Sequence, residues 1–288
     1  MTKSKDLTHN QRMAINWAKK FLIYVVLITL GLFFVFPLVW MILTSFKTPA
    51  DLVNPHQFFP SEWRWQNYVR ALTAIPFFKY LKNSVIITVL CIIGSVGSST
   101  LTGYAFAKLR FPGKNFLFIV CIALMMIPNQ IIAIPMFTMY KDLGLLNTYV
   151  PLTVPCFFGF GCSMYIFLMK QFFSGIPKQI SESGVVDGAG QFRILWSLIL
   201  PLAKPGLITV TLFTFMFTWN DFFSPLIYLT DPDSLTLAIG LRAFQSQYTA
   251  NYELMMAAAV VAMIPTVVLF FCAQKQFISG ITFSGIKG

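Results

Sequence analysis

Charged residues are scarce in this chain. Of its 288 residues, 21 are Lys or Arg and 10 are Asp or Glu, together 11%. Soluble domains carry about 25% charged residues, or roughly 72 in a chain of this length. A soluble fold with so little charge has too little polar surface to present to water. The composition therefore indicates a membrane protein, and 57% hydrophobic residues and a mean hydropathy of +0.71 agree.

Histidine is almost absent and cysteine is confined to apolar sequence. The two histidines, His9 and His56, lie in a tail and in a loop, so zinc sites and catalytic triads lack their parts. Five cysteines fall inside long apolar runs, and we interpret them as small hydrophobic residues. They are Cys91, Cys121, Cys156, Cys162 and Cys272. The sequence predicts no metal site.

Nucleotide-binding signatures are also missing. The one Gly-Lys pair, Gly113-Lys114, precedes Asn115 and lacks the upstream glycine of a P-loop. Gly159 and Gly161 lie in an apolar run, where small residues favour helix packing. We expect no catalytic residue and no bound cofactor. The net charge of +11 does not indicate nucleic acid, because the bases lie between apolar runs instead of clustering.

Six apolar runs are long enough to cross a membrane, which takes about 20 helical residues. They cover residues 21–43, 84–107, 116–140, 149–169, 206–229 and 254–273. The first run is too long for a cleavable signal peptide. We therefore predict an all-α, polytopic membrane protein with six transmembrane helices. The six-helix transmembrane domain covers residues 21–273. Short terminal segments, 1–20 and 274–288, flank it.

The distribution of Lys and Arg predicts the orientation. With the N-terminus in the cytoplasm, the inner segments hold 14 Lys and Arg and the outer segments hold 7. Cytoplasmic segments carry the excess of basic residues. We predict that both termini are cytoplasmic, which also places residues 170–205 there as the longest cytoplasmic loop.

The loop 170–205 has the pattern of two short helices joined by glycines. Pro177 suits a first helical turn, so a helix is predicted over 177–186, and Gly188 and Gly190 follow it. A second helix places four apolar residues on one stripe. They are Phe192, Leu195, Trp196 and Ile199. The two helices form a cytoplasmic knob or, alternatively, an amphipathic segment resting on the bilayer.

Motifs in this loop resemble the EAA loop of binding-protein-dependent ABC import permeases. The resemblance begins with the string Glu182-Ser183-Gly184-Val-Val-Asp187-Gly188-Ala189, followed by Phe192 and by Leu200-Pro201 with Pro205. It extends to Leu143-Gly-Leu-Leu-Asn-Thr148, Phe167-Leu-Met-Lys-Gln-Phe-Phe, Trp219-Asn220-Asp221 and the last nine residues. The whole is similar to the maltose-type, six-span carbohydrate branch. The resemblance implies a type I ABC importer permease architecture.

The sequence departs from the family pattern at two positions. Ser183 and Gly184 stand where the family usually has two alanines. Both residues are small, so we expect the first helix still to fit closely against another protein. Gly184 lowers helix propensity by about 1 kcal/mol relative to Ala, so we expect a slightly looser helix.

The resemblance implies roles for the loop residues. In this family the EAA loop inserts into a cleft of a cytoplasmic ATPase, which uses ATP and Mg. Glu182 would then face basic groups of the ATPase, and Gly188 would make the turn between the helices. Phe192 and Trp196 would fill apolar space beneath the knob, with anchoring of Trp196 at the lipid headgroups as an alternative.

The family also implies partners. Similar permeases work with a second permease, two ATPase subunits and an extracytoplasmic solute-binding protein, in the cytoplasmic membrane of a bacterium or archaeon. The solute would be a carbohydrate such as an oligosaccharide, a sugar or a polyol, and glycerol phosphodiesters remain an alternative. Outside this family, an ion-coupled secondary transporter and an intramembrane enzyme acting through Asp221 also stay open.

Three of the runs contain polar residues or prolines that break the helix. Such backbone is tolerated in a membrane where it faces protein or water, so these runs are predicted to line the translocation pathway. The second run carries eight small or polar residues between Gly94 and Gly103, and the third contains Pro128-Asn129-Gln130. The fifth contains Trp219-Asn220-Asp221. Asp221 either bonds to a neighbouring helix or contacts substrate. Trp219, with Phe217, Phe222 or Tyr228, offers an aromatic face for stacking on a sugar.

Two long outer segments, 44–83 and 230–253, are predicted to meet the solute-binding protein. They are longer than simple connections require. The alternative is that they only cap the helix bundle.

Overall fold

The chain is almost entirely helical in the computed structural model, which describes residues 9–54, 56–245 and 251–284. Fifteen α-helices are found in these ranges. They are α1 (His9–Ser45), α2 (Pro49–Val53), α3 (Gln66–Ala74), α4 (Phe77–Lys108), α5 (Lys114–Met125), α6 (Asn129–Asp142), α7 (Val150–Thr153), α8 (Ser163–Gly175), α9 (Lys178–Val186), α10 (Gln191–Ile194), α11 (Leu200–Leu202), α12 (Lys204–Trp219), α13 (Phe223–Tyr228), α14 (Leu237–Gly240) and α15 (Tyr252–Ser284). The predicted all-α fold is confirmed.

Three helices are long and apolar enough to cross a membrane by themselves. They are the segments Ile15–Ser45, Phe77–Lys108 and Tyr252–Gln274, which contain the first, second and sixth predicted runs. Two bent pairs of helices raise the number of candidate spans to as many as five. All six predicted runs are mostly helical, but only three form single helices.

The third run is broken where the sequence places Pro128. α5 and α6 meet at an angle of 96°, and Pro128 has extended backbone angles, φ −62° and ψ 132°, as the residue before α6. A proline ring prevents the helix from continuing, because it removes an N–H donor and clashes with the preceding turn. Asn129 and Gln130 therefore begin a new helix in place of interrupting one.

The fourth and fifth runs are also divided. Residues 150–162 contain α7 and two 3-10 turns before α8 begins at Ser163, because Pro155 removes a backbone donor. The fifth run splits into α12 and α13 around Asn220 and Asp221. Non-helical backbone of this kind at membrane depth occurs where it is buried in protein or lines a water-filled cavity.

Clustering of contacts divides the chain into two compact units. The first comprises Met1–Ala71 and Phe244–Val260, and the second comprises Leu72–Ala243 and Val261–Gly288. Within the first unit, Asn67 is buried and donates from Nδ2 to the carbonyls of Ser45 and Lys47, both at 2.9 Å. These bonds fix the chain that leaves α1.

Asp51 organises the loop after α1. Thr48 and Asp51 form a capping box at the start of α2, and the carboxylate also accepts bonds from Gln57 Nε2 at 2.9 Å and Ser61 Oγ at 2.6 Å. Burial raises the pKa of Asp51, but the bonds from Ser61 and Thr48 outweigh it and hold the pKa below its usual value. Hydrogen bonds to Asp51 thus hold Thr48, Gln57 and Ser61 of the predicted outer segment 44–83 together.

In the second unit, α4 packs mainly against α8 and α12. Glycines permit these close approaches. A Cβ on Gly103 would lie 2.9 Å from Met169 Cβ and 3.0 Å from the Lys170 amide nitrogen, and a Cβ on Gly206 would lie 2.8 Å from the Phe172 ring. Small residues at helix contacts of this kind are typical of membrane bundles.

A hydrophobic cluster joins this bundle to the loop 170–205. Met169 and Phe173 of α8 are fully buried, as are Ile194 and Ile199 of the loop and Val210 of α12. Side chains from the loop and the bundle share one core. Because a densely packed core transmits displacement, the loop and the bundle resist moving independently of each other.

Candidate functional site

The first helix of the loop begins and ends where the sequence predicts. α9 starts after Pro177 and runs to Val186, with Asp187 as its last half-helical residue. Gly188 follows in the left-handed conformation at φ +74°. The Gly188 amide donates to the Val185 carbonyl at 3.0 Å and the Ala189 amide donates to the Gly184 carbonyl at 2.9 Å. This is the Schellman motif, which usually requires glycine.

Gly184 lies on the inner side of α9 and not on its outer surface. It is buried, and a Cβ there would lie 2.9 Å from Ile194 Cγ1 and 2.9 Å from Leu198 Cδ1. Our expectation that Gly184 belongs to the surface presented to another protein is therefore wrong. Its missing side chain lets the two segments of the loop approach each other. Ser183 is exposed, and its hydroxyl donates to the Ile180 carbonyl at 3.0 Å.

The second half of the loop does not bury the predicted stripe. Phe192 and Trp196 are 69% and 66% exposed, with their rings stacked at 6.3 Å, whereas Ile194, Leu195 and Ile199 are buried. Within this chain Phe192 and Trp196 therefore do not fill space beneath the knob, and their contact with an ATPase stays a prediction.

A π-helical turn over Leu195–Ile199 explains this difference. The Leu200 amide donates to the Leu195 carbonyl, five residues back. One extra residue in the turn shifts the face that follows, so a helical stripe spaced by three and four residues is lost. The loop therefore has a buried face of aliphatic residues and an exposed aromatic pair.

The exposed side of the knob is apolar at its tip. Val186 is 87% exposed beside the turn, and Asp187 is exposed next to it. Ala189 is half-buried against the hydrophobic cluster, and Pro201, which lies in α11, is exposed. An exposed apolar tip on a loop whose other face is anchored in the core is suited to binding another protein.

Glu182 lies on a different side of α9 from Gly184. It is exposed and lines a cleft together with Lys108, Arg110, Lys114 and Lys178. The charged groups that share this cleft with Glu182 are therefore cations of its own chain.

A second cavity of about 300 Å³ lies among the helices of the second unit. It is lined by polar groups of α4, α6, α12 and the break after α12, together with three tyrosines. They are Ser95, Asn129, Thr214, Thr218 and Asp221, with Tyr140, Tyr165 and Tyr228. The cavity brings together two of the predicted pathway residues, Asn129 and Asp221, and Ser95 of the second run. Gln130, Trp219 and Asn220 do not line it.

Asp221 caps the helix that follows it. Its Oδ1 accepts a bond from the Ser224 amide at 3.1 Å, at the start of α13. The sequence left a bond to a neighbouring helix and a contact with substrate as alternatives, and neither of them is this local bond. The half-buried carboxylate also lines the cavity, so its place there is fixed by the break in the helix.

Trp219 has a structural role in this arrangement. Its Nε1 donates to the Ala262 carbonyl of α15 at 3.1 Å, and its ring stacks on Phe215 at 5.3 Å and 12°. Asn220 is exposed and donates to the Met216 carbonyl at 2.8 Å. The aromatic residues that do line the cavity include Tyr140 and Tyr228, which pack edge to face at 5.5 Å. Tyr228 is among the aromatic residues that the sequence offers for stacking on a sugar, whereas sequence reasoning missed Tyr140, the last residue of the third predicted run.

Comparison with known proteins identifies the family. Residues 99–282 match the family model described as "Binding-protein-dependent transport system inner membrane component". The chain belongs to this family. The match covers the loop and every lining residue of the cavity except Ser95.

Curated relatives match along most of the chain. The arabinooligosaccharides transport system permease protein AraQ of Halalkalibacterium halodurans is 32% identical over 271 residues, covering 91% of this chain and 96% of the relative. The trehalose/maltose transport system permease protein MalG of Thermococcus litoralis is 32% identical over 274 residues, covering 94% and 98%. The diacetylchitobiose uptake system permease protein NgcG of Streptomyces coelicolor is 31% identical over 259 residues, covering 89% and 85%.

A solved structure confirms the architecture. A bacterial ABC transporter involved in the import of the acidic polysaccharide alginate contains a chain that matches with a TM-score of 0.78 at 23% identity. The match covers 94% of this chain and 99% of that chain. The predicted fold of an ABC importer permease is confirmed, and the protein is a membrane-embedded component of a transport system.

Proposed function

We propose that this chain is one of two permease subunits of an ATP-driven importer for a carbohydrate, and that it receives the movement of a cytoplasmic ATPase through the loop 170–205. The observation that carries the proposal is the construction of this loop. Its outer side exposes Val186, Phe192 and Trp196, and its inner side buries Ile194 and Ile199 in the core of the bundle.

The contacts support a mechanical role for the loop. The cluster that buries Ile194 and Ile199 also contains Tyr165 of α8, and Tyr165 lines the membrane cavity. A displacement of the knob is thus passed to helices that form the cavity. Packed cores respond to such displacements by shifting whole elements between discrete arrangements.

The cavity is the proposed contribution of this chain to the passage. It offers hydroxyl groups, one amide and one carboxylate, with aromatic walls. Sugars present many hydroxyl groups and apolar ring faces, so this mixture of hydrogen-bonding groups and aromatic surface is suited to them. The printed names of the relatives, which refer to arabinooligosaccharides, trehalose or maltose, and diacetylchitobiose, support an oligosaccharide in particular.

The remaining partners follow from this assignment. We propose that two ATPase subunits bind ATP and Mg, that a second permease completes the passage, and that a solute-binding protein delivers the sugar from outside. Both termini are then cytoplasmic, in agreement with the twofold excess of basic residues on that side. This chain itself binds no cofactor.

Uptake in proteoliposomes tests the proposal. Vesicles holding the chain with its ATPase, second permease and binding protein are expected to accumulate labelled oligosaccharide only with ATP inside, where the ATPase lies. Uptake that continues without the ATPase and collapses with an ion gradient would show a secondary transporter. Turnover of a lipid or glycan by the isolated chain, lost in Asp221→Asn, would show an enzyme.

A further inference from the structure

The cleft beside α9 is strongly basic. It has a volume of about 750 Å³ and is lined by Lys108, Arg110, Lys114, Lys178 and one acid, Glu182. None of the ion pairs between described side chains joins Glu182 to these four cations. The cleft therefore holds an excess of positive charge that an anion is suited to neutralise.

Two of the cations are held in place by the backbone. Lys108 Nζ donates to the Ile176 carbonyl at 2.6 Å, and Lys114 Nζ donates to the Leu109 carbonyl at 2.8 Å. An ammonium group has three donors, so each keeps donors for a ligand. Ser181 also lines the cleft, and its buried hydroxyl has no hydrogen-bond partner among the described residues. Phosphate oxygens can accept hydrogen bonds from the two ammonium groups and from the Ser181 hydroxyl.

The cleft lies where apolar helices end. Lys108 is the last residue of the candidate span Phe77–Lys108, and Lys114 is the first residue of the next, bent pair. Basic pockets at this level on the cytoplasmic side of membrane proteins bind the headgroups of anionic lipids. The cations are therefore placed near the headgroup layer.

An apolar surface continues from the cleft along α5. Phe116, Leu117 and Ile119 are all exposed there. A neighbouring cleft of about 350 Å³ shares Arg110 and Lys114 and is also lined by Phe116. Positive charge beside an exposed apolar helix matches a molecule that has both a phosphate and hydrocarbon chains.

We propose that this basic cleft binds the phosphate headgroup of an anionic phospholipid, whose acyl chains lie along the exposed face of α5. Soluble phosphate lacks the chains that the apolar surface accommodates. An acidic segment of another protein would leave Phe116 and Ile119 uncovered. The site depends on membrane embedding, and its test measures lipid binding by the chain without an ATPase.

Titration of a lipid into the full-length, delipidated chain in detergent tests the site. Binding of phosphatidylglycerol and phosphatidylcholine is followed by native mass spectrometry. The variant Arg110→Gln/Lys114→Gln is expected to raise the Kd for phosphatidylglycerol about tenfold or more, since each cation near the headgroup contributes to binding. The matched control Lys82→Gln/Lys141→Gln removes the same charge elsewhere and should leave this Kd unchanged.

Further experiments distinguish the lipid headgroup from soluble phosphate and from an ATPase as the occupant of the cleft. Lys114→Arg keeps the charge and should retain affinity, even if the double variant folds poorly. The proposal is overturned if the double variant binds phosphatidylglycerol as the unaltered chain does, or if the control loses as much affinity. Displacement of the lipid by millimolar inorganic phosphate would assign the cleft to soluble phosphate. Displacement by a purified ATPase partner would assign it to that protein.

Discussion

Gly188 offers a direct way to perturb the turn of the loop without a steric clash inside the chain. Its φ is +74°, and a Cβ added there meets no atom within 4 Å. Within the chain, the variant Gly188→Ala therefore adds backbone strain without a steric clash, and Gly190→Ala controls for the added methyl group. For an L-residue the left-handed conformation costs about 1–2 kcal/mol, which lowers the equilibrium constant for the observed turn by about 5- to 30-fold.

The effect is read from binding to the ATPase. Because the turn positions α9 relative to the exposed aromatic pair, we expect the Kd for the ATPase to rise, by up to about 30-fold, with ATP-driven uptake falling in parallel. Surface plasmon resonance on the permease reconstituted in nanodiscs measures the first quantity. Uptake in proteoliposomes measures the second.

Two glycines serve as controls. Gly190 has an ordinary φ of −67° and equally open surroundings, so Gly190→Ala should change affinity little. Gly144 has a φ of +68° in a segment predicted to lie outside, so Gly144→Ala adds the same strain away from the loop. Unchanged affinity in Gly188→Ala, or an equal loss in Gly190→Ala, would refute the reasoning.

Three further predictions test the packing and the hydrogen bonds of the fold. Gly184→Leu should destabilise the loop by about 1–3 kcal/mol through overpacking, whereas Ser183→Leu on the exposed side should not, as thermal unfolding of both will show. Because the folded pKa of Asp51 is depressed, its stabilisation is present at neutral pH and is lost as pH falls through that folded pKa; the unfolding temperature of Asp51→Asn should depend less on acid pH, and an unchanged profile would count against the network. Asn83 Nδ2 donates to the carbonyls of Asp233 and Leu235 at 3.0 and 2.9 Å, so Asn83→Ala should speed proteolysis of residues 230–240, and equal protection in the variant would contradict this.

Apolar length and glycine chemistry were sufficient to predict much of the fold. The single helices around 21–43, 84–107 and 254–273 follow from uninterrupted apolar sequence, and the turn at Gly188 follows from a residue that alone adopts φ +74° easily. These features depend on local sequence. The continuity of the other runs was overestimated, because Pro128 divides a run that still has enough apolar residues to span a membrane.

The candidate site was harder to predict because it depends on tertiary contacts. The π-helical turn at Leu195–Ile199 changes the exposed face of the loop, and periodicity assumes a regular helix. The sequence shows that residue 184 is small, but it does not show that this residue lies on the buried side of α9. Trp219 and Asp221 were selected as polar or aromatic residues in lipid, and only the structure separates the indole bound to α15 from the carboxylate at the cavity.

The central claim is that the tip of the loop contacts the ATPase, and photocrosslinking tests it most directly. A photoreactive phenylalanine analogue, p-benzoylphenylalanine, is placed at Val186, which is 87% exposed, and at the control position Phe59, which is 64% exposed in the predicted outer segment. The assembled transporter is irradiated and its adducts are identified by mass. The account predicts an ATPase adduct from position 186 and none from position 59. An ATPase adduct that is absent from position 186, or equally strong from both positions, would contradict it.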